Sequence, residues 1–160
     1  MHRKGRTVLI MLCAGFLLPT LGRSRGWDIE LRKSLPTSKG LLRIDEVGQG
    51  GFRVSVDGKL IRELEGFDLA VWGTLPTADS PQYILLALDT GNGFCPYKYV
   101  LLDVTASPAP YLTHEFADCS PVPKVSMNGP EVKMDFPSSQ NVKTQVWVYD
   151  PVRHDLIQSR

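Results

Sequence analysis

With 160 residues, 42% of them hydrophobic and 22% charged, the chain has the size and composition of one globular domain with a single core. These proportions exclude a disordered chain, a collagen-like repeat and a polytopic membrane protein. Eighteen Lys and Arg against 17 Asp and Glu give a formal charge of +1, without the basic excess that nucleic-acid binding demands.

The first 22 residues read as a secretory signal peptide. Arg3, Lys4 and Arg6 make a positive front end, and Thr7 to Leu18 is an apolar run of 12 residues ended by Pro19. A membrane-spanning helix needs about 20 apolar residues, so the run is too short for an anchor. Small residues at positions 20 and 22 point to cleavage after Gly22, with Ser24 as the near alternative. The mature domain, residues 23–160, then keeps 15 bases against 17 acids, and it has no stable membrane span.

From Trp27 onward, short apolar or alternating runs are separated by turn residues, the signature of an all-β domain. Residues 27–31 (WDIEL) and 41–47 (LLRIDEV) alternate and read as the first two strands. Residues 52–64 carry the strongest local signal, because Phe52, Val54 and Val56 share one face and Asp57-Gly58 supplies a tight hairpin turn. Gly66 interrupts the return strand, and 67–72 (FDLAVW) follows as the next one. Residues 83–88 (YILLAL) and 97–104 (YKYVLLDV) are apolar at consecutive positions, which identifies central strands paired antiparallel across the loop 89–93. A strand is expected over 111–117, with Tyr111, Thr113 and Glu115 on one side and Leu112, His114 and Phe116 on the other. Residues 125–127, 131–136 and 144–149 complete an antiparallel meander, and the tail 151–160 is expected to add no more than an edge segment. Twelve prolines and 14 glycines, most of them at these turns, suit a small β-sandwich or open barrel.

Three cysteines become two once Cys13 leaves with the signal, and Cys95 and Cys119 are expected to form one disulfide in an oxidising compartment. The expected location is therefore periplasmic or secreted. Two Cys 24 positions apart with no CxxC do not form a zinc ligand set.

Catalytic signals are scarce. No Ser lies in a GxSxG elbow, and the glycine clusters at 48–51 and 91–93 lack the ending and following helix of a phosphate loop, so both read as turns. His114, Asp118 and His154 are conceivable metal ligands without the close spacing such sets show. Asp89 and Asp103 are conceivable partners in acid–base work on a sugar. No cofactor and no metal are expected. The aromatic residues offer another reading: Asn92, Phe94, Tyr97, Tyr99 and Tyr111 lie within or beside the proposed disulfide hairpin. The loop 89–95 and the corner 119–123 would then form one rigid recognition edge, with Tyr supplying contact area at little entropic cost. The bland reading is that these aromatics are strand packing.

The expectation drawn from these residues is an exported, non-catalytic binding module with a protein or envelope partner. An inhibitor, an immunity-type protein or an accessory subunit of an envelope assembly would fit. The alternatives are a small hydrolase of an envelope polymer using carboxylate chemistry, and a structural component of a surface or secretion complex.

Overall fold

A computed structural model describes residues 32–117, 119–120, 122–138 and 143–159. The proposed signal peptide, both candidate cleavage sites and the strand expected at 27–31 lie outside these residues. Within them the protein is all-β, with three four-stranded antiparallel sheets and no helix.

The first sheet runs β1 (Ser34–Thr37), β2 (Gly40–Val47), β3 (Gly51–Val56) and β4 (Lys59–Glu65), in that spatial order. Leu42 and Ile44 of β2 point into the core while Arg43 and Asp45, which alternate with them, are exposed, and Phe52, Arg53 and Val54 of β3 repeat the alternation. The turn between β3 and β4 is the Asp57-Gly58 pair, with φ of 52° and 72°. Both residues take the left-handed conformation that a two-residue hairpin loop requires.

The central sheet contains β5 (Asp68–Leu75), β6 (Tyr83–Asp89), β7 (Tyr97–Asp103) and the two-residue β8 (Tyr111–Leu112). Every residue from Tyr83 to Leu88 is buried, because this sheet is covered on both faces. Ile84, Leu86 and Leu88 join Val100 and Leu102 against the first sheet, whereas Tyr83, Leu85 and Ala87 join Tyr99 and Leu101 against the third. The third sheet is β9 (Lys124–Asn128), β10 (Glu131–Phe136), β11 (Gln145–Asp150) and β12 (Asp155–Ser159), again in chain order. Its inner face supplies Val132, Met134, Phe136, Tyr149 and Leu156 to the second core. The result is sandwich-like, with three layers and two cores. The tail expected at the edge is the full edge strand β12, pairing Asp155 to Ser159 with β11.

The layers are tied at their ends. Val71 donates its amide to the Arg32 carbonyl at 3.1 Å, and the Lys33 ammonium donates to the Leu69 carbonyl at 2.7 Å, so the chain leading into β1 lies along the edge of β5. At the opposite edge the Arg62 guanidinium donates to the carbonyls of Leu112 and Thr113, each at 2.8 Å.

One expected strand is shorter in the structure. Regular pairing over 111–117 stops after Leu112, and only an isolated bridge from Phe116 to Tyr99 continues it. Thr113 ends the ladder by using its side chain: the Leu101 amide donates to Thr113 Oγ1 at 2.9 Å rather than to a backbone carbonyl. The alternation breaks there, leaving Thr113 buried and His114 exposed.

Candidate functional site

On the face of the central sheet that looks toward the third sheet, strand register sets side chains in rows. Asp68, Asp89 and Tyr97 are partners across β5, β6 and β7, followed by Ala70, Ala87 and Tyr99. The alanine row is a recess because a methyl group replaces a full side chain at two neighbouring positions. One step further, a β-bulge between Val71 and Gly73 re-aims Trp72. Its indole lies 6.3 Å from the Tyr97 ring and 6.2 Å from the Tyr99 ring. A groove of about 390 Å³ results, with the alanines as floor, the carboxylates at one end, Trp72 and Tyr97 as aromatic surface and Val122 at the rim. A narrower apolar slot of about 50 Å³ shares Trp72 and Val122 and runs on between Leu75, Leu85, Pro123 and Val125.

The loop beside the groove is held in place by its own polar groups. Asp89 Oδ1 accepts from the Gly91 amide at 2.7 Å, Asn92 Oδ1 accepts from the Phe94 amide at 3.0 Å, and the Thr90 amide donates to the Pro96 carbonyl at 2.9 Å. The Thr90 hydroxyl donates to the Cys95 carbonyl. The Cys95–Cys119 disulfide, with Cα atoms 4.0 Å apart, fastens the loop to the corner that carries Val122. This is the bridge expected from the cysteine count. Phe94 is 85% exposed at the loop tip, and Phe67, 76% exposed, packs beside Gly91. Lys33 forms an ion pair with Asp68 at the groove's end.

Of the residues proposed from sequence, Asn92, Phe94 and Tyr97 share this edge. Tyr99 is fully buried beneath it, and burial pushes its hydroxyl pKa well above the ordinary tyrosine value. Tyr111 lies at the other end of β7, opposite Asp103, and packs on Tyr149 and His154. The groove also draws on Asp68, Ala70, Trp72 and Ala87, which sequence reasoning assigned only to strands. The paired register of β5 and β6, which no local pattern encodes, brings them together.

Asp89 and Asp103 stand at opposite ends of the β6–β7 ladder, about 20 Å apart at ~3.3 Å per residue, too far for a shared acid–base step. Asp103 is instead buried at the far end. Its Oδ1 accepts from the Thr105 amide and hydroxyl and the Ala106 amide, and its Oδ2 accepts from the Tyr149 hydroxyl at 3.0 Å. His154, in the tail 151–160, sits half-buried with Nδ1 2.9 Å from the Tyr149 hydroxyl oxygen. These bonds brace a turn and two sheets, a structural role. Among the described residues no three metal-ligating side chains gather, and Asp118 lies outside them. Nor is any described helix long and apolar enough to cross a membrane.

No protein-family model matches the chain, and neither a curated protein nor a solved structure is significantly similar to it.

Proposed function

We propose that the protein is an exported, non-catalytic binding module, periplasmic or secreted after removal of residues 1–22, whose ligand docks on the disulfide-fastened edge. The observation that carries this reading is Phe94, an aromatic ring held in water on a loop locked by side-chain hydrogen bonds and a disulfide. A ring carried on a backbone fixed before contact spares the loop's ordering cost on binding, which suits an interface anchor. The disulfide favours an oxidising compartment. An inhibitor, an immunity-type protein or an accessory subunit of an envelope assembly would each use such an edge.

The test compares affinity capture from envelope and secreted fractions of the host by the wild-type protein, Phe94→Ala and Trp72→Ala. Partners retained by wild type and lost from both variants, with Phe94→Ala melting as wild type does, support the module. Equal capture by all three sinks it.

A second reading, a small carboxylate hydrolase, is favoured by one feature: Asp68 and Asp89 are cross-strand partners beside an aromatic surface. Turnover of peptidoglycan or polysaccharide that disappears in Asp89→Asn would replace the binding module with this enzyme.

A further inference from the structure

We infer that the groove over Ala70 and Ala87 receives a cationic side chain, Lys or Arg, from a protein partner. This rests on the binding-module reading and names the chemistry of its ligand. The groove is lopsided in charge. Two carboxylates, Asp68 and Asp89, close one end, and no Lys or Arg is among the described residues that line it. Lys33 neutralises Asp68 from outside the groove, where its ammonium also reaches the Leu69 carbonyl and lies 5.0 Å from the centre of the Phe52 ring. Asp89 has no ion-pair partner among the described residues. Covering that carboxylate with a neutral ligand would desolvate it without compensation, whereas a cation supplies the missing charge.

The opposite side of the recess favours the same occupant. The indole of Trp72, with Tyr97 beside it, offers an aromatic surface along which the stem of such a side chain packs. A Lys or Arg stem has the apolar length to lie over the two alanine methyls while its head reaches Asp89. A sugar would also stack on Trp72, but its hydroxyls bring no charge to offset that of Asp89. Within the chain, Lys33 already shows this recognition in miniature: a carboxylate, a backbone carbonyl and an aromatic ring around one ammonium.

The experiment is an amide and indole NMR titration of the full mature protein with three probes: N-acetyl-lysine methylamide, its uncharged isostere N-acetyl-norleucine methylamide, and chitotriose. The expected result is saturable shifts at Ala70, Ala87, Asp89 and the Trp72 indole with the lysine probe alone. Asp89→Asn keeps an oxygen for the Gly91 amide and is expected to weaken the lysine probe about tenfold, while Ala70→Leu, which fills the recess, abolishes the shifts. Equal shifts from the norleucine probe, a stronger response to chitotriose, or undiminished lysine binding in Asp89→Asn would each overturn the inference. If the lysine probe fails while Phe94→Ala still abolishes partner capture, the cation falls and the binding module stands. If capture is unaffected by Phe94→Ala and Trp72→Ala, the module itself falls.

Discussion

The Tyr149 hydroxyl donates to Asp103 Oδ2 at 3.0 Å, joining the third sheet to the end of β7 across 46 residues of sequence. That hydroxyl has one proton, so His154 Nδ1, 2.9 Å from the same oxygen, is the donor in the second bond. With Oδ1 accepting from Thr105 and Ala106, the buried carboxylate is compensated from several directions. Asp103→Ala would leave these donors without their acceptor. A loss of about 3 kcal/mol is expected, since each unsatisfied buried group costs roughly 1–3 kcal/mol. Urea unfolding measures it. Tyr149→Phe, which removes one donor and leaves the other three contacts, should cost less than Asp103→Ala; the reverse order would show that the carboxylate is not the organising group.

The same residues set an alkaline limit. Burial, and then the Asp103 carboxylate, push the pKa of Tyr149 well above its ordinary value of about 10, and the same two causes raise Tyr83. Below pH 10 these tyrosines are protonated in both folded and unfolded chains, so they add no pH dependence. Above it the unfolded chain releases protons that the folded one retains, and stability falls by about 1.4 kcal/mol per pH unit for each such tyrosine. Unfolding free energies should therefore be level in this contribution from pH 8 to about 10 and decline from there to pH 11. Tyr149→Phe should make the decline shallower by about that amount, and an unchanged slope would refute the assignment.

Much of this architecture is legible in the sequence. Asp57-Gly58 names its own hairpin, since few residue pairs take positive φ twice. The consecutive apolar residues 83–88 announce a strand covered on both faces, and that is β6. Residues whose role depends on a distant partner are not legible. Thr113 looks like any strand residue until the Leu101 amide is found on its hydroxyl. Asp103 and His154, 3.9 Å apart and both bonded to Tyr149, come together only in the fold, and the recess at Ala70 and Ala87 exists only in the register of β5 against β6. Each is long-range information that periodicity does not carry.

The Cys95–Cys119 bridge closes a segment with a sequence separation of 24, for which chain entropy yields about 3–4 kcal/mol of stabilisation. The double variant Cys95→Ala/Cys119→Ala should lose stability of that order. It should also speed hydrogen exchange of the amide at position 119, which in the wild type donates to the Tyr97 carbonyl at 3.1 Å. Unaltered exchange there would mean that hydrogen bonds alone hold the edge, and that the bridge is dispensable for the geometry of the groove.

Arg62 fastens the first sheet to the end of the central one by donating to the carbonyls of Leu112 and Thr113. A guanidinium satisfies both at once because its two terminal nitrogens diverge in a plane, and an ammonium does not reproduce that fork. Arg62→Lys is therefore expected to destabilise nearly as much as Arg62→Ala, by about 1.5–3 kcal/mol as judged for hydrogen bonds to a charged group. Denaturant midpoints for the pair decide it. Full retention of stability in the lysine variant would show that charge, not geometry, is what the two carbonyls require.

Gly66 sits where the chain passes from the first sheet to the second, pressed against β6. A methyl group there would lie 2.5 Å from Leu88 Cδ1 and 2.8 Å from the Asp89 carbonyl oxygen. The leucine can turn away, but the carbonyl belongs to a strand end and already accepts from the Phe67 amide at 2.7 Å. Gly66→Ala must therefore displace backbone, at the cost of about 1–3 kcal/mol typical of overpacking. Since Asp89 carries the groove's carboxylate and its Oδ1 orders Gly91, the displacement should also reach the loop. NMR of Gly66→Ala is expected to show shifted amides at Asp89 and Gly91 together with a lower melting temperature. Lost stability without those shifts would mean that Leu88 yields and that the groove is insulated from the junction.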